Sequence, residues 1–101
     1  MASLFYMKVY ISGAISNRKF EDAQEHFRFA EDLLSLKGHD IINPMKLPHE
    51  HCGTWLEYMK EDIIALMDCD AIYMLKGWDL SRGALVEFNI AKELGYKIMF
   101  E

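Results

Sequence analysis

Asp70-Ala71-Ile72-Tyr73-Met74-Leu75, followed by Gly77-Trp78-Asp79 and the stretch from Ser81 to Gly95, decides the fold. The first segment is apolar almost throughout, which predicts a strand covered on both faces, as in a parallel sheet. The second has Ala84, Phe88, Ala91 and Leu94 on one helical stripe and closes at Gly95. Upstream, Thr54 caps a helix whose apolar positions are read as Leu56, Met59, Ile63 and Met67. Further out, Tyr6 to Ser12 reads as a strand stopped by Gly13, and Phe20, Ala23, Phe27, Ala30 and Leu34 recur at helical spacing until Lys37-Gly38. His39 to Ile42 is a brief strand ended by Asn43-Pro44, residues 45 to 53 form a loop, and Lys97 to Phe100 is the last strand.

Strand and helix thus alternate along the chain, so a parallel sheet with right-handed crossovers is expected. The expected architecture is a three-layer α/β domain of flavodoxin or Rossmann type, with strands in the order 2-1-3-4. Ligands of such sheets bind beyond the carboxyl ends of the strands, at the switch point between the first and third. That rule groups Ser12 to Arg18, Asn43-Pro44 and Lys76 to Gly83 on one rim, with Glu87 entering from one turn below.

Bulk properties narrow the function. The 101 residues, 51% hydrophobic, are expected to form a single domain spanning residues 1–101. A formal net charge of -5 with scattered Lys and Arg argues against duplex nucleic acid and anionic membrane as partners. The sequence has no apolar run of membrane-spanning length and no signal-peptide pattern at its start. Cys52 and Cys69 make no disulfide framework, and a reducing cytoplasm is the expected compartment.

Glu87 falls near the middle of the apolar stripe, while Asn89, Lys92 and Glu93 already supply a polar face. A carboxylate placed there needs a raised pKa or a dedicated hydrogen-bond network. Two readings stand side by side: a catalytic carboxylate, and a structural one tied to backbone or Tyr.

Val9-Tyr10-Ile11-Ser12-Gly13-Ala14-Ile15, the Trp55…Met59…Asp62 helix, Cys69-Asp70 opening a strand, and Ser81-x-Gly83-x-x-x-Glu87 follow one another in a familiar order. In this the chain resembles the nucleoside 2-deoxyribosyltransferase-like proteins, among them the 2'-deoxynucleoside 5'-phosphate N-hydrolases. It is most similar to a small branch reading Gly-Trp-x-x-Ser-x-Gly-Ala followed by Glu. The resemblance covers nearly the whole chain. It implies that Glu87 is a nucleophile attacking the anomeric carbon of a deoxynucleoside, with Asp62 as second carboxyl group and Tyr10 as a hydrogen-bond partner of Glu87. The chemistry would be that of retaining glycosidases, without metal or organic cofactor.

The resemblance also implies a nucleoside- or nucleotide-binding rim of Gly13, Ile15, Ser16, Arg18, Asn43, Trp78, Ser81, Arg82 and Gly83. Ser81 corresponds to a serine that contacts a 5'-phosphate, at a helix N-terminus suited to anions. The phosphate-binding hydrolases, however, carry Ser where this chain has Ala14 and Arg where it has Ser16. Trp78 is read either as a base-stacking residue or as a subunit contact. His49-Glu50-His51-Cys52 looks like a metal cluster, but no second cluster completes a zinc site, and a polar covering loop is expected instead. Asp79 is expected to cap the Glu87 helix.

Two functions compete on this evidence. One is cleavage or transfer at the N-glycosidic bond of a deoxynucleoside or its 5'-phosphate. The other is a noncatalytic nucleotide-binding module on the same scaffold. A homodimer or higher even assembly is expected, with the 54–67 helix or the Glu87 helix at its interface.

Overall fold

In the computed structural model, which describes residues 6–49 and 53–101, the apolar segment after Asp70 is the central strand β3, Ala71–Met74, every residue of it buried. It lies parallel to β1 (Lys8–Ser12) on one side and to β4 (Lys97–Phe100) on the other. Strand β2 (Asp40–Ile42) pairs in parallel with the outer edge of β1, giving the order β2-β1-β3-β4. This is the expected order. Helices α1 (Phe20–Leu36), α2 (Trp55–Met67) and α3 (Arg82–Glu93) make the crossovers.

The two faces of the sheet divide by the strand period of two. Val9 and Ile11 point to one face, where Phe27, Ala30 and Leu34 of α1 meet Ala71 and Tyr73. Tyr10 points to the other, with Ile72 and Met74, against Leu66 of α2 and Ala84 and Ala91 of α3. Gly13 follows β1 where a Cβ would stand 2.8 Å from Leu75 Cβ, so packing alone requires a glycine there.

Local readings differ at several places. Leu56 and Met67 of α2 are 55% and 54% exposed, and its buried positions are Met59, Asp62 and Leu66. The helix has turned its face toward α3: a Cβ on Gly83 would stand 3.2 Å from Met59 Sδ, and Asp62, three residues on from Met59, shares that buried face. Phe20 begins α1 but is exposed. Leu94 and, in part, Phe88 likewise stay outside the core. Asp79 does not cap α3. It lies in a short 3-10 turn, Trp78–Leu80, and the cap is Ser81, whose Oγ accepts from Ala84 N at 3.2 Å. Residues 45 to 53 are not all loop either: a 3-10 turn, Pro44–Lys46, opens them, capped by Asn43 accepting from Met45 N at 3.0 Å. Thr54 caps α2 as expected, with a reciprocal Glu57 capping box.

Candidate active site

Three chain segments that leave the carboxyl ends of the strands open onto one cavity of about 570 Å³. Ile15, Ser16 and Asn17 come from the β1 loop, Met45 and His49 from the segment after β2, and Leu80 to Gly83 from the turn after β3. Trp55, Tyr58, Met59 and Asp62 of α2 form the opposite wall, and Glu87 of α3 reaches in from below. The place agrees with the switch-point rule, since β1 and β3 are neighbours whose crossovers run to opposite faces.

Glu87 is buried in the second turn of α3 and faces the ends of β1. Tyr10 Oη donates to its Oε2 at 2.7 Å, and Ser12 Oγ donates to its Oε1 at 2.6 Å. The strand period places both hydroxyls on the same side of β1, two residues apart. Each carboxylate oxygen therefore has one donor and keeps a lone pair for the cavity. Burial pushes the Glu87 carboxyl up to about 7, against the opposing effect of the Ser12 and Tyr10 hydrogen bonds. Burial, then the adjacent Glu87 charge, raises the Tyr10 phenol well above its ordinary value, so it stays a donor.

Asp62 shares the cavity with Glu87, and its charge adds to the upward shift of that group. Its own carboxyl is raised by burial and lowered by His49, whose Nε2 lies 3.1 Å from Oδ1. His49 in turn stands edge-on to Tyr58, ring centroids 4.9 Å apart. At the mouth, the Arg82 guanidinium lies over the Trp55 ring at 4.1 Å, a cation–π contact joining the starts of α2 and α3.

The expected site residues divide accordingly. Glu87, Asp62, Ile15, Ser16, Ser81, Arg82 and Gly83 all line the cavity, and Tyr10 stands directly behind Glu87. Arg18 does not join them: its Nη1 lies 2.9 Å from His26 Nδ1 in a separate groove. Asn43 is buried, donating to Glu31 Oε1 at 3.0 Å, and Gly13 packs on Leu75. Trp78 stacks on Phe88 at 4.6 Å, packed against the α3 side of the core rather than lining the cavity.

Other contributors carried weaker signals in the sequence. Ser12 is grouped with the rim but given no partner, although alternation from Tyr10 points to Glu87. His49 is hidden inside a metal-like cluster, of which Glu50, His51 and Cys52 lie outside the described residues. Among the described residues no group of three His, Cys, Asp or Glu could hold a metal ion. No helix among them is long and apolar enough to cross a membrane.

The same fold occurs in a solved structure of a 2-deoxyribosyltransferase from the psychrotolerant bacterium Bacillus psychrosaccharolyticus, described as a biocatalyst for nucleoside synthesis. The match has a TM-score of 0.71 at 22% identity and covers 92% of this chain and 70% of that one. No curated protein matches the sequence. Residues 7–100 match the family model described as a domain of unknown function (DUF4406), and the chain belongs to that family.

Proposed function

We propose that this protein cleaves the N-glycosidic bond of a 2'-deoxynucleoside or its 5'-phosphate, with Glu87 as nucleophile. The observation that carries the reading is a buried carboxylate held from behind by Tyr10 and Ser12 and open in front to a cavity that contains a second carboxyl group, Asp62. Two carboxyl groups in one cavity are what glycosyl chemistry through an ester intermediate needs. Likeness of fold to a 2-deoxyribosyltransferase supports the substrate class.

In this mechanism a Glu87 oxygen attacks the anomeric carbon. The bond to the base breaks, its electron pair leaves with the base, and a proton is delivered to the departing nitrogen heterocycle. Water resolves the ester in hydrolysis, and a second base does so in transfer. The apolar walls, Ile15, Met45, Trp55 and Met59 among them, suit the flat base, while Ser16, Ser81 and Arg82 suit the sugar and its 5' substituent.

The test is incubation with a panel of deoxynucleosides and deoxynucleotides, followed by chromatography for free base. Base release that disappears in Glu87→Gln supports the reading, since an amide cannot form the ester. Full activity in that variant removes Glu87 from the mechanism. Arg18 held at His26 and Ser81 serving as a helix cap leave fewer groups for a phosphate, which favours the unphosphorylated deoxynucleoside; the competing reading of the same pocket is a noncatalytic nucleotide-binding module. Saturable nucleotide binding by calorimetry, with no base released, would favour it.

The same reading includes pairing of two copies through α2 or α3, which would close the open side of the cavity.

A further inference from the structure

Among the described residues His49 is the one imidazole lining the cavity, and its ring nitrogen meets Asp62. Its side chain is 18% exposed and that of Asp62 12%. Glu61 Oε2 lies 3.5 Å from the same Nε2, so two consecutive carboxyl groups of α2 face one ring nitrogen. The Tyr58 ring packs against the imidazole in a T-shaped contact. Across the cavity the facing groups are Glu87, backed by Tyr10, and Arg82, which is occupied by Trp55. Glu87 cannot supply a proton and attack carbon in the same step, so the proton for the departing base must come from elsewhere in the cavity.

We propose that His49 is a positioning residue for the acid of the reaction, holding Asp62 and the proton they share toward the departing base. This rests on the glycosidic reading of the site, with Asp62 as its acid, and adds the role of His49. One proton is shared along the 3.1 Å contact, as neutral carboxyl with neutral imidazole or as carboxylate with imidazolium. When Glu87 displaces the base, the one shared proton passes through Asp62 to the base nitrogen or exocyclic oxygen, leaving the pair as carboxylate and neutral imidazole. When water attacks the ester, its proton returns to the pair, and Glu87 leaves as carboxylate. Each turnover thus consumes one water, releases neutral base and free sugar, and restores the pair.

A leaving-group experiment tests this on the full chain. Base release from the common 2'-deoxynucleosides and their 5'-monophosphates is compared with hydrolysis of 4-nitrophenyl 2-deoxyribofuranoside, whose phenolate departs without a proton. His49→Ala should lower kcat/KM on the nucleosides about 100-fold, in the range of general acid catalysis, and at least ten times less on the nitrophenyl substrate. Added imidazole should restore part of the loss. Asp62→Asn should show the same dependence on leaving group without rescue by imidazole. Equal losses on both substrates, with no rescue, would overturn the pair while leaving the glycosidic reading intact. Release of neither base nor nitrophenolate by the wild-type protein would overturn both. His49→Gln, which keeps an N–H toward Asp62 but cannot pass a proton on, repeats the test should the alanine variant melt early.

Discussion

Tyr10 and Glu87, 77 residues apart in the chain, meet at 2.7 Å in the interior, the phenol donating and the carboxylate accepting. β1 and α3 are thereby tied together behind the cavity that Glu87 lines. The phenol favours the charged form of Glu87 that attack requires, against the burial that disfavours it. Tyr10→Phe should push the Glu87 carboxyl above about 7 and move the acid limb of base release to higher pH. The loss of one buried hydrogen bond should cost about 1–2 kcal/mol of stability. A pH profile identical to that of the wild type would separate Tyr10 from the chemistry.

Glu87 also makes the protein's stability depend on pH. Its carboxyl ionises near 4.5 ordinarily and near 7 in the folded chain. Between those values the folded state holds a proton that the unfolded state has lost. This contribution is complete below pH 4.5 and disappears as pH rises through about 7. The difference corresponds to roughly 3 kcal/mol. Glu87→Gln carries no such charge, so its unfolding free energy relative to the wild type should rise between pH 5 and pH 8, by on the order of 2–3 kcal/mol. Denaturant titrations at the two pH values measure this, and an unchanged difference between the two proteins would show that Glu87 keeps its ordinary acidity.

What the sequence made legible follows the strength of each physical signal. β3 is unmistakable because burial on both faces leaves no polar residue in Ala71–Met74. Glu87 stands out because a charge on an apolar stripe contradicts its surroundings. The face of α2 was harder: Leu56 and Met67 outweigh Asp62 on a helical wheel, yet the cavity turns Asp62 inward and leaves both apolar residues out. Asp79 and Ser81 are both good caps, and only the 3-10 turn Trp78–Leu80 decides between them. Trp78 admits two readings, base stacking and subunit contact, and in the single chain its ring stacks on Phe88. His49 belongs to no periodic segment, so its contact with Asp62 exists only in three dimensions.

The outer face of α2 bears on assembly. Leu56, Ile64 and Met67 are 55%, 71% and 54% exposed and spaced to share one side of the helix. That side is next to the wall that carries Trp55, Met59 and Asp62 into the cavity. Leu80, at the cavity mouth, is 79% exposed. A second copy laid against α2 by a two-fold axis would bury these side chains and narrow the open side of the site, with each copy offering the other the same surface. Light scattering at micromolar concentration should give at least twice the chain mass of 11.8 kDa. Ile64→Glu would place two charges face to face across such an axis and should shift the distribution toward single chains. Because Ile64 is exposed in the single chain, the substitution should leave the melting of each subunit's own core within about 0.5 kcal/mol. If pairing completes the cavity, base release should fall together with the dimer fraction as the variant is diluted. A wild-type protein of single-chain mass that retains full activity would show that one copy suffices.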